Sequence, residues 1–101
     1  MLVKIHKNKE GQSIAAICDK YLIGKVITEK DRQLDLNSNF FKGEEKTVDM
    51  ISDIMRNADI IHVVGEKSVG VALKEELLDE QEVKSIQGVP HAEIIIIDEG
   101  L

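Results

Sequence analysis

The amino-acid sequence predicts an α+β fold, a two-layer sandwich in which two helices pack on one face of a mixed β-sheet of four to six strands. Polar and apolar residues alternate over Leu2–Lys7, as in a half-buried strand. Apolar residues recur at helical spacing after Thr47, and the apolar run Ile60–Val64 has the length of a central strand. Because two helices are too few to cover both faces of such a sheet, we expect both on one face.

The first half of the chain predicts short strands. The turn-forming sequence at residues 8–11 joins the first two strands into a hairpin, and two weaker strands and a long loop follow it. The predicted elements are strands Leu2–Lys7, Ser13–Cys18, Lys25–Thr28 and Gln33–Leu36, and a loop over Asn37–Lys46.

The second half alternates helices and strands. Thr47 is a plausible N-cap for the first helix, and Gly65 separates a buried strand from the second helix. The predicted elements are a helix beginning after Thr47, strand Ile60–Val64, a helix over Glu66–Leu78, strand Val83–Ile86, a turn at Gln87–Pro90 and strand Ala92–Asp98.

Length and composition indicate one domain over residues 1–101. The chain is 43% hydrophobic, which is too apolar for a disordered protein, and no apolar run approaches membrane-spanning length. The single cysteine, Cys18, excludes an internal disulfide. Since the sequence also begins directly with a strand pattern, without a signal peptide, we expect a cytoplasmic protein that does not contact membranes.

Charge is distributed unevenly along the chain, which carries −6 overall. Residues 1–46 hold nine basic and seven acidic side chains, a balance of +2, whereas residues 47–101 hold four and twelve, a balance of −8. Direct nucleic-acid binding is therefore weakly indicated, and it requires the basic residues of the first half to form one face. The residues concerned are Lys4, Lys7, Lys9, Lys20, Lys25, Lys30 and Arg32.

Few aromatic side chains are present for stacking on bases: only Tyr21, Phe40 and Phe41. The adjacent pair Phe40–Phe41 is compatible with an exposed partner anchor or with a cover folded back on the core.

Connectivity predicts a candidate binding edge. If strands 60–64 and 83–86 run parallel in a right-handed βαβ unit, the segments that follow them emerge at the same edge of the sheet, where ligands often bind. The residues of this candidate edge are Gly65, Glu66, Lys67, Ser68, Gly88, Val89, Pro90 and His91.

The start of the second helix is one candidate for chemistry at that edge. Free amides there, with Lys67 and Ser68, are suited to a phosphate or carboxylate. The segment is neither a P-loop nor a dinucleotide motif, because Val71 and Ala72 replace the required Lys-Ser/Thr and no Gly-x-Gly precedes the helix. An ordinary turn followed by a helix start is the favoured interpretation, because a lone glycine motif is a weak signal.

The segment around Pro90 and His91 is the second candidate. The only proline of the chain fixes a rigid turn or adopts a cis bond, and His91 can titrate near neutral pH or cap a carbonyl. No metal-ligand spacing or nucleophile signature accompanies either His91 or Cys18, so we expect no metal, no cofactor and no catalytic residue.

Four segments together resemble the archaeal domain-of-unknown-function family 424. They are Met1–His6, Asn57–Lys67, Leu77–Glu80 and the distinctive Gly88–Ala92, and the similarity covers nearly the whole chain. The resemblance implies a stand-alone archaeal α+β domain in the cytoplasm and supplies no activity. The family often has Asn at the position of His62, which argues against a required role for this histidine.

We therefore expect a small non-catalytic binding or adaptor domain whose partner is a protein or ribonucleoprotein, in translation or another RNA-linked process. The alternative is an enzyme or small-anion-binding protein that uses His91 with Lys67. That alternative requires the two side chains to converge in one pocket. A homodimer formed through an open strand edge is a third expectation.

Overall fold

The computed structural model describes residues 1–97. These residues form eight strands, two helices and two short 3₁₀ turns, Lys20–Leu22 and Glu80–Glu82. In chain order the strands and helices are β1 (Leu2–Lys7), β2 (Ser13–Cys18), β3 (Val26–Glu29), β4 (Arg32–Asp35), β5 (Glu44–Glu45), α1 (Val48–Asn57), β6 (Ile60–Val64), α2 (Glu66–Lys74), β7 (Lys84–Ile86) and β8 (Val89–Ile95).

Six strands form one mixed sheet in the order β5-β1-β2-β6-β8-β7, and β3 and β4 form a separate hairpin. The two central strands β2 and β6 are parallel, and every other pairing is antiparallel. β6 and β7 both pair antiparallel with β8, so they run in the same direction with β8 between them. The predicted parallel relation of these two segments is therefore confirmed, although they are not neighbours.

The two helices pack on one face of the sheet, as the sequence predicts. Strand residues alternate between faces, and the odd-numbered residues of β2 and β6 point toward the helices. The resulting core joins Val3, Ala15, Ile17, Ile61, Val63, Ala92 and Ile94 of the sheet to Ile51, Met55, Val69 and Ala72 of the helices. Thr47 caps α1 as predicted, because its Oγ1 accepts a hydrogen bond from the Met50 amide at 3.3 Å.

The opposite face of the sheet is covered by the β3–β4 hairpin and by the loop that follows it. A second, smaller apolar cluster lies there, with Cys18 and Val64 from the sheet and Leu22 and Leu36 from the covering segments. The α+β prediction is confirmed. The hairpin adds a cover that the predicted two-layer sandwich does not include.

Helix α2 ends at Lys74, four residues before the predicted end. Glu76 adopts a positive φ of 59°, the Glu76 amide donates to the Leu73 carbonyl, and the Leu77 amide donates to the Ala72 carbonyl. This is a Schellman cap formed without glycine. Sequence reasoning missed it because glycine is the usual signal for such an end.

The predicted turn at Gln87–Pro90 is shorter than expected. Gln87 and Gly88, with φ of 52° and 77°, form the two-residue turn between β7 and β8, and Val89 and Pro90 already belong to β8. Two positive φ values match the right-handed twist of the hairpin. The predicted last strand, Ala92–Asp98, lies within β8 and the residues after it as far as Ile97, and Asp98 lies outside the described residues.

Candidate functional site

The predicted edge is formed where β2 and β6 end and β8 begins. The Gly65 amide donates to the Pro90 carbonyl at 2.8 Å, and Val64 lies opposite His91 in the ladder. Gly65–Ser68 and Gly88–His91 are therefore brought together as the sequence predicts. We call this region, together with Asp19 at the end of β2, the carboxyl edge.

Pro90 fits in β8 for a specific reason. It occupies a position whose amide would point to β6, yet it has no N–H to donate. The carbonyl of Gly65 on that side already accepts a hydrogen bond from the Val69 amide at 2.9 Å, in the first turn of α2. No acceptor is therefore left unpaired, and the bonds preceding and following Pro90 are trans, since residues 1–97 contain no cis peptide bond.

Asp19 is the most constrained polar residue of the carboxyl edge, and sequence reasoning missed it. Its side chain is only 1% exposed. One carboxylate oxygen accepts from the Lys67 amide at 3.0 Å, and the other accepts from the Ser68 amide at 2.8 Å and from Ser68 Oγ at 2.7 Å. The carboxylate therefore occupies the amides at the start of α2 and favours the helix through its dipole.

Gly65 is required for this cap. Its φ is +107°, and a Cβ added there would lie 2.3 Å from Asp19 Cγ and 2.5 Å from Oδ2. Any side chain at this position would push the carboxylate away from the helix start. The one sequence signal that could have found Asp19 is an acidic residue directly after a strand that runs parallel to the Gly65 strand.

His91 lies on the other side of the carboxyl edge. It lines a groove of about 520 Å³ together with Glu82, Lys84, Ala92 and Glu93. Its Nε2 atom is buried and has no hydrogen-bond partner among the described residues. Burial lowers the pKa of His91 from its ordinary value of 6.5, and the positive charges of Arg32 and Lys84 lower it further, so the ring is neutral at pH 7.

Lys67 and His91 do not share a pocket. Lys67 lines a separate groove of about 530 Å³ with Met1, Asp19, Lys20, Tyr21 and Glu45. Tyr21 is 60% exposed there, with the Lys25 ammonium 5.6 Å from its ring centre. Across the groove, Lys20 forms an ion pair with Glu45 at 3.1 Å. The convergence that the catalytic or anion-binding alternative requires is therefore absent from residues 1–97.

The first-half lysines do not form one basic face. Lys4 and Lys7 point to opposite faces of β1, and Lys9 lies in the turn at the far end of the sheet from Lys25. Lys4 Nζ donates to the Asn39 carbonyl at 2.9 Å. Arg32 is bound to Glu29 at 2.7 Å. These residues therefore do not lie on one continuous face.

A second group of polar residues lies on the helix-free face and was also missed. Phe40 stacks on His6 with ring centres 4.5 Å apart and meets His62 edge-on at 5.2 Å. His6 Nε2 lies 2.9 Å from the Phe40 carbonyl, and His62 Nε2 lies 3.1 Å from a Glu93 oxygen. Phe40 and Phe41 therefore fold back on the sheet, which favours the cover interpretation of this pair.

The thiol of Cys18 is a buried apolar group at the end of β2. Burial raises its pKa to about 11, and the neighbouring Asp19 carboxylate adds to the shift. Since a thiolate is the nucleophilic form, this cysteine is unreactive at neutral pH.

The model of the family described as "Protein of unknown function (DUF424)" matches residues 6–97. The chain belongs to this family. The resemblance found in the sequence is confirmed, and both halves of the carboxyl edge lie inside the matched range. No curated protein matches the DUF424 chain.

A solved structure agrees with the fold. The crystal structure of an uncharacterized conserved protein from Methanopyrus kandleri is similar with a TM-score of 0.77 and 25% sequence identity, over 99% of this chain and 96% of the other. Within residues 1–97, neither helix of the DUF424 chain is long and apolar enough to cross a membrane.

Proposed function

We propose that this chain is a small non-catalytic binding domain whose carboxyl edge, together with Tyr21, contacts a partner macromolecule. The observation that carries the proposal is the exposed Tyr21 ring beside Lys67 in the groove at this edge. Exposed aromatic side chains are frequent anchors of protein interfaces, because they supply a large contact area at low entropic cost.

Hydrogen bonds hold the backbone behind that groove in place, which supports binding without rearrangement. The Asp19 carboxylate holds the start of α2 through two amides and one hydroxyl. The Gly65–Pro90 hydrogen bond joins α2 to the β7–β8 hairpin. A preorganised surface loses less conformational entropy on association.

A small anion or a substrate fits this edge less well. The Lys67 and Ser68 amides are already bonded to Asp19. The groove is also open, since the Tyr21 ring that lines it is mostly exposed, whereas a small-molecule site encloses most of its ligand. Because Lys67 and His91 line separate grooves, the geometry favours a macromolecular contact over a site that uses both side chains.

The chemistry of the groove suggests the kind of partner. An aromatic ring under the Lys25 ammonium, in a groove that Lys67 also lines, suits a protein surface with an apolar patch and a carboxylate. We propose a protein partner, free or within a ribonucleoprotein of translation. We further propose a cytoplasmic setting, in keeping with the single cysteine, and an archaeal source, in keeping with the family resemblance and the Methanopyrus relative.

Quantitative affinity capture from cell extract tests the proposal. The wild-type chain is compared with Tyr21→Ala and Lys67→Glu, and with Lys9→Glu as the control that makes the same charge change at the far end of the sheet. We expect the two edge variants to retain at least fivefold less of the partner than Lys9→Glu. Equal retention by all four proteins overturns the proposal. Nuclease treatment of the extract distinguishes a protein contact, which survives it, from direct binding to RNA.

A further inference from the structure

We propose that two copies of this chain pair through the free edge of β8, as antiparallel strands related by a two-fold axis at Ile95. This surface is separate from the carboxyl edge, since it lies beyond the end of β7. The proposal is therefore independent of the proposed function.

The edge of β8 is unpaired beyond His91. β7 pairs only with Val89, Pro90 and His91. Hydrogen bonds from Gly65 to Pro90 and from Ile96 to Asp59 show that even-numbered residues of this strand bond toward β6. The amide and carbonyl groups of the odd-numbered residues Glu93 and Ile95 therefore point to the opposite side, away from β6. On that side no strand of residues 1–97 pairs with Glu93 or Ile95.

The side chains at this edge are those of a strand that pairs with itself. Ile95 is 60% exposed and Ile97 is 78% exposed. The run of four isoleucines at 94–97 contains no proline, glycine or charge. High β-propensity and low charge are the features that drive identical strands together, and none of the usual protecting residues follows Glu93 in this run.

The opposite edge of the sheet, along β1, is protected against the addition of another strand, unlike the edge of β8. β1 carries Lys4 and Lys7, and β5 pairs with its first two residues. The loop after β4 covers part of β1 through hydrogen bonds from Lys4 to the Asn39 carbonyl and between His6 and the Phe40 carbonyl. Charged side chains and a covering loop are standard means of blocking strand addition. Beyond Glu93, the free edge of β8 has neither a charged side chain nor a covering loop within residues 1–97.

Charge selects the register of the pairing. With Ile95 opposite its own copy, Glu93 lies across from Ile97, and no two carboxylates face each other. The partner's Ile97 then lies opposite Glu93, two positions short of His91, where the pairing with Lys84 of β7 begins, so the described part of the strand does not overlap β7. A pairing centred on Glu93 would place two carboxylates directly opposite, which is destabilising, and would collide with β7. The Ile95 register satisfies both constraints.

A contact made by two such short edges is small. Stable interfaces begin at roughly 1,200 Å² of total buried surface, so we expect a weak dimer that is populated only at high protein concentration.

Sedimentation equilibrium of the purified chain from micromolar to millimolar concentration tests the proposal. We expect the mass of the wild-type protein to rise toward that of a dimer, and Ile95→Lys to stay monomeric over the same range. Ile5→Lys is the matched control, because Ile5 is a 52% exposed isoleucine on the other edge strand, and we expect it to dimerise like the wild type. Circular dichroism checks that both variants fold.

Amide hydrogen exchange at low and high concentration gives a second readout that needs no variant. The Glu93 and Ile95 amides should become at least tenfold more protected at high concentration, whereas the Ile5 amide on β1 should not change. A wild-type mass that stays monomeric at millimolar concentration overturns the proposal. So does a dimer whose protection appears at β1 or that survives Ile95→Lys.

Discussion

An aspartate bound to a serine lies at each end of the central β2–β6 strand pair, and the two contacts differ in how deeply they are buried. At the carboxyl end, Asp19 holds Ser68 through its amide and hydroxyl at 2.8 and 2.7 Å. At the amino end, Asp59 accepts from the Ser13 amide at 2.8 Å and contacts the Ser13 hydroxyl at 3.3 Å. Asp19 is 1% exposed, whereas Asp59 is exposed to solvent.

The comparison indicates that burial decides how much such a hydrogen bond contributes to the free energy of unfolding. Water can replace the carboxylate at Asp59, so the net contribution of that bond is small. Behind Asp19 the Ser68 amide is buried and the Lys67 amide is partly buried, so the loss of their acceptor would cost much of the desolvation of these groups. The carboxyl end therefore supports the fold and the candidate site together, and the amino end only links the starts of β2 and β6.

The largest effect is expected from removing the buried carboxylate. Asp19→Ala should lower the free energy of unfolding by about 3 to 5 kcal/mol, because it leaves the buried amide and hydroxyl of Ser68 and the partly buried Lys67 amide without their acceptor. Asp59→Ala should lower it by at most about 1 kcal/mol. Urea denaturation measures both. Equal losses for the two variants would contradict the role given to burial.

Gly65 provides the next largest effect at the same end. Gly65→Ala should cost about 3 kcal/mol, because the added methyl group meets the Asp19 carboxylate and the positive φ disfavours any side chain. Gly70→Ala is the control, since Gly70 lies exposed in α2 with nothing within 4 Å of its added Cβ. That change should stabilise the protein by about 0.5 to 1 kcal/mol. Thermal unfolding of both variants gives opposite signs if the Asp19 cap is as described.

Replacing the two serines sharpens the comparison with a smaller change. Ser68→Ala removes one buried hydroxyl and leaves the amide bonds to Asp19, so we expect a loss of about 1 to 2 kcal/mol. Ser13→Ala should change the free energy of unfolding by about 0.5 kcal/mol or less. Denaturation of the two variants side by side provides the measurement, and a larger loss at Ser13 would reverse the ranking of the two ends.

The smallest effect is expected from two partly buried histidines, of which only His62 has a carboxylate partner. Burial lowers the pKa of both His62 and His91 below 6.5, and the Glu93 carboxylate partly offsets the shift at His62 only. Below that pH the unfolded chain binds more protons than the folded one, so the free energy of unfolding should fall as pH falls from about 6.5. Stability above pH 7.5 should not depend on these two groups.

Denaturation between pH 7.5 and 5.5 checks this expectation. His91→Asn and His62→Asn should each flatten the slope, and His91→Asn more so, because no carboxylate compensates for the burial of its ring. A slope that is unchanged in both variants would assign the acid sensitivity to other groups.

Much of the fold follows from local pattern. The bounds of β1, β2 and β6 are as the sequence predicts, because period-two alternation and apolar runs are strong local signals. The end of α2 was wrong by four residues, because Glu76 takes a positive φ that sequence rarely signals outside glycine. The sequence predicts Pro90 in a turn, although it lies in β8. A proline is accepted at this strand position only because the Gly65 carbonyl, distant in sequence, already has another donor.

The candidate site was predicted only in part. Chain connectivity was enough to bring Gly65–Ser68 together with Gly88–His91, since parallel strands end at one edge. Lys67 and Ser68, whose amides bind the Asp19 carboxylate, lie 48 and 49 positions after it in the chain. No local sequence pattern links residues so far apart, so this contact is not predicted. The cluster of His6, Phe40 and His62 was missed for the same reason.

The sequence by itself determined the α+β class, the order of the elements, the placement of both helices on one face and the acidity of the second half. Those features depend on periodicity and composition, which act over a few residues. Only the tertiary structure decided that Asp19 fills the helix start, that Lys67 and His91 line separate grooves, and that the first-half lysines scatter. Each of these depends on which residues, distant in sequence, share a buried space, and hydrogen-bond satisfaction and desolvation act there rather than along the chain.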